Sequence, residues 1–264
     1  MAFLAQGSKL VSGVLVSLAL SAAAANAASC GKDGSGFEAW KQSFAQQAKA
    51  AGVTNKGLQA LAGAKYATAT IKVDRAVKKA FSGDVNSFMK RRGGATIISK
   101  GRSLKKANAA MFADIERRYG VPAGPLLAIW GMETGFGSFM GDQNTISAIV
   151  TLAYDCRRPD FFNPHALAAL KLVDRGVLSA SSVGAAHGEI GHTQFLPGNV
   201  LNFGVGSMNL KDKATALAST ANFLRGHGYR GGPASANPGA IAGWNSASVY
   251  QQAIIIMADA IDGE

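Results

Sequence analysis

Apolar positions along this chain recur mostly at the three- and four-residue spacing of amphipathic helices, and alternating strand patterns are scarce. Phe37, Trp40 and Phe44 fall on one helical face that Gly52 ends. Val73, Val77, Ala80 and Phe81 predict a second face. Leu104, Ala107, Met111, Ile115 and Tyr119 predict a longer one, stopped by Gly120. Pro122 opens a very apolar helix from Leu126 to Met132. Asn163-Pro164 reads as a cap followed by Pro at the first helical position, ahead of Leu167, Leu170 and Val173, with Gly176 as the stop. Ala214, Leu217, Ala221 and Leu224 end at Gly226, and Val249, Ala253, Ile256 and Ala260 form the last face. Gly-rich stretches at 131–141, 184–206 and 226–243 separate the helices, and composition loosens at 93–101, a soft boundary. The pattern predicts a mainly α protein without internal repeat or disordered linker.

The first residues read differently. Lys9 precedes an apolar run from Leu10 to Ala25, and Ala25-Asn26-Ala27 has the small-x-small form of a cleavage site. We read residues 1–27 as a secretory signal peptide. The alternative is an uncleaved anchor, but the run is rich in Ala and Ser and would partition weakly into lipid. Two cysteines, Cys30 and Cys156, follow, and in an exported chain they predict one disulfide. The rival reading, a lipid on Cys30, stays open here, although Ala27-Ala28-Ser29 lacks the Leu of a bacterial lipobox.

The chain has 264 residues, of which 48% are hydrophobic and 16% charged, so it can bury a substantial core. Its formal net charge of +11 favours a polyanionic partner: nucleic acid, an anionic membrane or a carboxylate-bearing wall polymer. No nucleic-acid-binding motif is visible, and export argues against that partner.

The chemistry concentrates in two segments. In Ala128-Ile-Trp-Gly-Met-Glu133-Thr-Gly-Phe-Gly137, Glu133 is the only charge between Arg118 and Asp142 and ends an apolar helix. Burial and the negative helix end both disfavour its carboxylate, which suits a general acid. An ordinary, partly solvated Glu is the alternative. In Gly188-Glu-Ile-Gly-His192-Thr-Gln-Phe-Leu-Pro-Gly198, Gln194 offers directional hydrogen bonds and Phe195 a stacking face for a sugar; a loop that merely turns tightly is the alternative. His187 and His192 flank Glu189, but their spacing and glycines do not fit a helical zinc motif, and no metal or cofactor is expected. His165 and His227 read as capping or surface residues.

Together, Gly131-x-Glu133-Thr, Phe136-Gly137 and the later Gly191-x-x-Gln194-Phe195-x-Pro197 resemble the lytic murein transglycosylase B family. The resemblance extends over nearly the whole mature chain. It takes in Val121-Pro122, Leu152-Ala153-Tyr154, Arg157-Arg158, Ala218-x-x-Ala221-Asn222-Phe223-Leu224 and Trp244-Asn245-Ser246-x-x-x-Tyr250. It implies a lysozyme-like helical core at 101–264 behind a helical N-terminal region at 28–100. It also implies cleavage of the bond between N-acetylmuramic acid and N-acetylglucosamine in peptidoglycan, without water, by one glutamate. That residue is Glu133, and the product is a 1,6-anhydro end. Gln194 and Phe195 match residues contacting the sugar next to the cut, and Asn245 one that meets an N-acetyl group. Arg158 and Phe161 match groove residues, and Tyr250 a support of the catalytic wall; core packing is the alternative for Phe161 and Tyr250.

Three departures stand out. Ala185 occupies a position where the family often has Ser. Glu189 replaces Ala in the family's Gly-Ala-Met-Gly, adding a carboxyl that could orient substrate, bind a stem amine, raise the pKa of Glu133 or activate water. Residues 199–213 hold one acid, Asp212, so no calcium loop is expected. The expected protein is a periplasmic monomer whose partner is the peptidoglycan glycan strand. A water-using muramidase and a silent wall-binding scaffold are the competing readings.

Overall fold

The structure, a computed structural model, describes residues 29–263, without the side chains of 77–80. The proposed signal peptide lies outside the described residues. Thirteen α-helices account for most of them: α1 (Phe37–Ala50), α2 (Asn55–Gly63), α3 (Thr68–Ala80), α4 (Val85–Arg91), α5 (Gly94–Ala107), α6 (Ala109–Tyr119), α7 (Ala123–Thr134), α8 (Thr145–Tyr154), α9 (Pro159–Asp174), α10 (Pro197–Phe203), α11 (Lys213–Gly226), α12 (Pro238–Trp244) and α13 (Ser248–Asp262). A two-residue antiparallel ladder pairs β1 (Gln143–Asn144) with β2 (Val183–Gly184). The mainly α expectation holds. No helix among the described residues is long and apolar enough to cross a membrane.

Helix α7 is the centre of the core. Every residue from Ala123 to Met132 is buried, as expected of a helix that is hydrophobic all round. Helices α5, α6, α11 and α13 pack on it. Its fully buried Leu126, Leu127 and Ile129 each contribute about 1.5–3 kcal/mol of transfer free energy. Two glycines permit the close fit. A Cβ on Gly124 would lie 2.3 Å from the Ala258 carbonyl oxygen of α13, and one on Gly101 would lie 2.6 Å from Ile261 Cδ1. Pro122 supplies no side-chain cap to α7, and Asp262 at the end of α13 takes that role. Its carboxylate accepts from Gly124 N at 3.0 Å and pairs with Lys105 Nζ at 2.6 Å.

A second cluster fixes the N-terminal helices. Phe37, Trp40 and Phe44 are buried as predicted, and Phe37, Trp40 and Tyr66 surround the ring of Tyr154 with centroids 5.4–6.1 Å apart. Alongside, Cys30 and Cys156 form a disulfide across a sequence separation of 126. That bond occupies the sulfur a lipid on Cys30 would need. In the chain-entropy model it is worth roughly 4–5 kcal/mol.

Four sequence expectations are corrected. In the face expected for α3, Val73 is 43% exposed, while Thr70 and Asp74 are buried, Asp74 as the partner of Arg157 and Arg158; Phe81, just past the helix end, packs on Phe88 and Tyr250 as expected, and the side chains of Val77 and Ala80 lie outside the described residues. The long helix through Leu104 and Tyr119 breaks at Asn108, whose side chain and amide both bond the Leu104 carbonyl. Pro164 lies inside α9, which begins at Pro159, where a missing N–H costs nothing. In α13 the buried face includes Tyr250, Ile254, Met257 and Ile261, and Ile256 is 43% exposed. The loosened stretch 93–101 enters α5 directly after Gly93, which turns the chain at φ 72°.

Asp174, at the end of α9, caps α2 from a distance. It accepts from Thr54 N at 2.7 Å, Thr54 Oγ1 at 2.6 Å and Gly57 N at 2.7 Å. Burial opposes its charge, but these bonds outweigh that and hold its pKa below the usual carboxylate range. A depressed folded pKa gives stability that is present at neutral pH and lost as pH falls through that value. Asp174→Ala is expected to cost about 1–3 kcal/mol in urea unfolding at pH 7, and the difference from the parent protein should shrink in acid.

Candidate active site

Glu133 is the penultimate residue of α7 and only partly buried, although the turn before it is fully enclosed. Its side chain meets the start of α13 and the end of α12. Tyr250 Oη donates to Glu133 Oε1 at 2.6 Å, and Trp244 Nε1 donates to the same oxygen at 3.3 Å. Burial raises the pKa of Glu133; the bonds from Tyr250 and Trp244 pull it back, the charge of Glu189 pushes it further up and Arg92 opposes. The net direction is upward. Tyr250 is 2% exposed, and burial and the neighbouring Glu133 hold its phenol well above its ordinary pKa, so it stays a donor.

The Gly-rich segments build the walls. Thr134 Oγ1 donates to the His192 carbonyl at 2.7 Å and accepts from Gly137 N at 3.0 Å, joining the loop after α7 to the 188–198 segment. His192 Nδ1 accepts from Trp130 Nε1 at 3.0 Å, and burial lowers its pKa, so it is a neutral structural acceptor. The backbones of Ile190 and Phe195 pair in a tight turn at 2.8 and 3.1 Å. At its tip Gln194 adopts φ 56°, unusual for a residue with a Cβ. Its amide donates to the Gly191 carbonyl at 2.8 Å and to Met140 at 3.3 Å, which compensates the strain. The β1–β2 ladder joins the chain just before α8 to the residues that lead into the 188–198 segment.

The other predicted site residues divide. Asn245 ends α12, and its Oδ1 accepts from Ala247 N at 2.9 Å, shaping the turn that delivers Tyr250. Phe195 does not fit the stacking role: it is 1% exposed and packs its ring on Phe223 and Trp244 at 5.9 and 5.1 Å. It supports Trp244 from within the core. Among the described residues, the large aromatic side chains open to solvent are Phe139, 65% exposed, and Phe161, 50% exposed. Phe161 is therefore not core. Arg158 stacks on Phe161 and Phe162 and is paired with buried Asp74, which also holds Arg157.

Glu189 is held in a chain of charges. Its Oε2 accepts from His187 N at 2.9 Å and its Oε1 lies 3.2 Å from His187 Nδ1; His187 Nε2 lies 3.4 Å from Asp74. Burial works against a charged His187, but Glu189 and then Asp74 outweigh it and raise its pKa. Sequence reasoning missed Asp74, Trp244 and Arg92. Trp244 adjoins Asn245 in a quoted motif and was findable; the other two come from α3 and from the turn after α4, remote in sequence. No group of three or more His, Cys, Asp or Glu among the described residues is placed to hold a metal ion. Asp212 instead caps α11, accepting from Thr215 N at 2.7 Å. His165 Nδ1 accepts from Gly198 N at 3.1 Å at the start of α10, and His227 caps α11.

The family model described as Transglycosylase SLT domain matches residues 36–238. Membrane-bound lytic murein transglycosylase B of Escherichia coli (strain K12) is 31% identical over 118 residues, 42% of this chain and 33% of that protein. The aligned part thus spans about a third of the curated relative. Among solved structures, SltB3 from Pseudomonas aeruginosa, in complex with NAG-anhNAM-pentapeptide, superposes with a TM-score of 0.76 at 26% identity, covering 86% of this chain and 80% of that one. Slt35 of Escherichia coli, in complex with calcium, gives a TM-score of 0.75 at 18% identity over 90% of this chain and 96% of that chain, a likeness of fold.

Removing the Tyr250 hydroxyl takes away a bond that favours the charged form of Glu133. Tyr250→Phe is therefore expected to move the Glu133 pKa upward, measured by carboxyl-carbon NMR titration against the parent protein.

Proposed function

The chain belongs to the transglycosylase SLT domain family, and from that premise we propose that it is a lytic murein transglycosylase acting on peptidoglycan in the periplasm. The observation that carries the reading is a single carboxyl, Glu133, held at an apolar helix end with its pKa raised and its Oε1 fixed by two donors. With Oε1 accepting from Tyr250 and Trp244, the acidic proton belongs on Oε2. Oε2 gives it to the bridging oxygen between N-acetylmuramic acid and N-acetylglucosamine as the bond to C1 breaks. The muramoyl C6 hydroxyl then bonds to C1, its proton returning to Glu133. One C–O bond breaks, one forms, no water is consumed and a 1,6-anhydro ring results. Attack from within the same sugar gains from proximity, so a second carboxylate is not required. Peptidoglycan as substrate is also supported by the fragment bound to SltB3.

In this reading Gln194 and Asn245 border the sugar beside the cut, and Phe139, Phe161 and Arg158 offer faces along the strand. Phe195 acts only through Trp244. Glu189, bonded to His187, is poorly free to activate water, and its charge adds to the rise in the Glu133 pKa that burial causes. The protein would act as a monomer after export.

Digestion of purified sacculi with mass spectrometry of the released muropeptides tests this. Anhydro ends from the parent protein and none from Glu133→Gln are expected. Reducing ends would instead make it a muramidase using Glu189, and bound but intact sacculi would make it a scaffold. Activity should fall on the alkaline side as Glu133 ionises. Glu189→Gln removes a negative neighbour, lowers the Glu133 pKa and should move that alkaline limb to lower pH.

A further inference from the structure

A cavity of about 680 Å³ lies where α6 and α11 end, lined by Arg117, Arg118, Tyr119, Asn222, Arg225 and Arg230 among others. It adjoins Gly120, just before α7, whereas Glu133 is near the last residue of that helix. At 1.5 Å per residue, the twelve residues of α7 separate the two by roughly 18 Å. The cavity is therefore distinct from the candidate active site.

Its charge is strongly one-sided. One carboxylate, Asp114, pairs with two of the four guanidinium groups, Arg117 and Arg118, the latter at 2.9 Å. Arg225 Nη1 donates to the Arg118 carbonyl at 2.7 Å, and Arg230 Nη1 donates to the carbonyls of Tyr229 and Arg225 at 3.1 and 3.3 Å. These bonds cap helix ends, where a positive charge is favourable. They also restrain the two guanidinium planes without using the Nε and Nη2 edge, the fork that takes a carboxylate side-on. Arg117, Arg225 and Arg230 are exposed. A recess of this size with several forks suits an extended ligand carrying more than one anionic group.

We propose that this cavity is a second wall-binding site, which takes the carboxylates of peptidoglycan peptide stems while Glu133 works on the glycan. The proposal rests on the peptidoglycan reading above, because that polymer carries carboxylate-bearing stems on its sugar chain. Holding a stem at one end of α7 raises the effective concentration of glycan at the other. The added affinity is electrostatic, so it weakens as salt rises.

Sedimentation with sacculi in the Glu133→Gln background tests it, comparing Arg225→Gln/Arg230→Gln with the parent background. Roughly tenfold weaker binding at low salt is expected, with the difference narrowed on glycan strands stripped of their stems by an amidase, which keep a single lactyl carboxylate on each muramic acid in place of the several of a stem. Arg117→Gln, which removes no bond to the main chain, should weaken binding in the same direction and guards against a folding defect. In the Glu133-containing protein the arginine variants should turn over a short soluble glycan fragment at the parent rate. Unchanged binding, or equal loss on stripped strands, would overturn the proposal, as would stronger competition by a phosphodiester polymer than by an acidic peptide. Failure of the proposed activity reads out separately, as no turnover of the soluble fragment by the parent protein.

Discussion

The close approach of α7 and α13 is the constraint on which the rest depends. Backbone meets backbone at Gly124, where a side-chain carbon would sit 2.3 Å from the Ala258 oxygen. Asp262 then reaches the start of α7 and Tyr250 its end, so one helix both caps α7 and supplies the shorter of the two hydrogen bonds to Glu133. A larger residue at position 124 would push α13 outward along its length. The core would lose packing, and the Tyr250–Glu133 bond would lengthen with it.

The electrostatics of the site follow from what surrounds that bond. Tyr250 and Trp244 stabilise the charged form of Glu133, while burial and Glu189 favour the neutral form. The two sets oppose each other, which leaves the carboxyl raised but still able to lose a proton. Glu189 is in turn restrained by His187 and, through it, by Asp74 and its arginines. A partly buried carboxylate is thus tied by a row of charges to α3, in the N-terminal part of the chain.

Much of this was legible in the sequence. The isolated charge of Glu133 at the end of an apolar run and the face of α1 could be read from spacing, as could that of α11 except at Ala214, which is exposed; the cysteine pair was read from the export signal. What could not be read has a common cause: side chains whose partners are distant in sequence. Asp74 is buried by arginines more than 80 residues away, which a hydrophobic periodicity cannot register. Phe195 sits in a polar, Gly-rich motif that suggests exposure, yet Phe223 and Trp244 enclose it. Asn108 breaks a helix through its own side chain while the apolar spacing runs on uninterrupted.

The disulfide has a consequence in time. Cys30 is stapled to a residue 126 positions later, and Phe37 and Trp40 pack on Tyr154 beside it. A ribosome adding about 5–20 residues per second needs roughly 6–25 s to cover that distance. Throughout that interval the aromatic face of α1 has no Tyr154 to pack against and Cys30 is an unpaired thiol. Helix α1 and Cys30 therefore wait for their partners until the middle of the chain has been made.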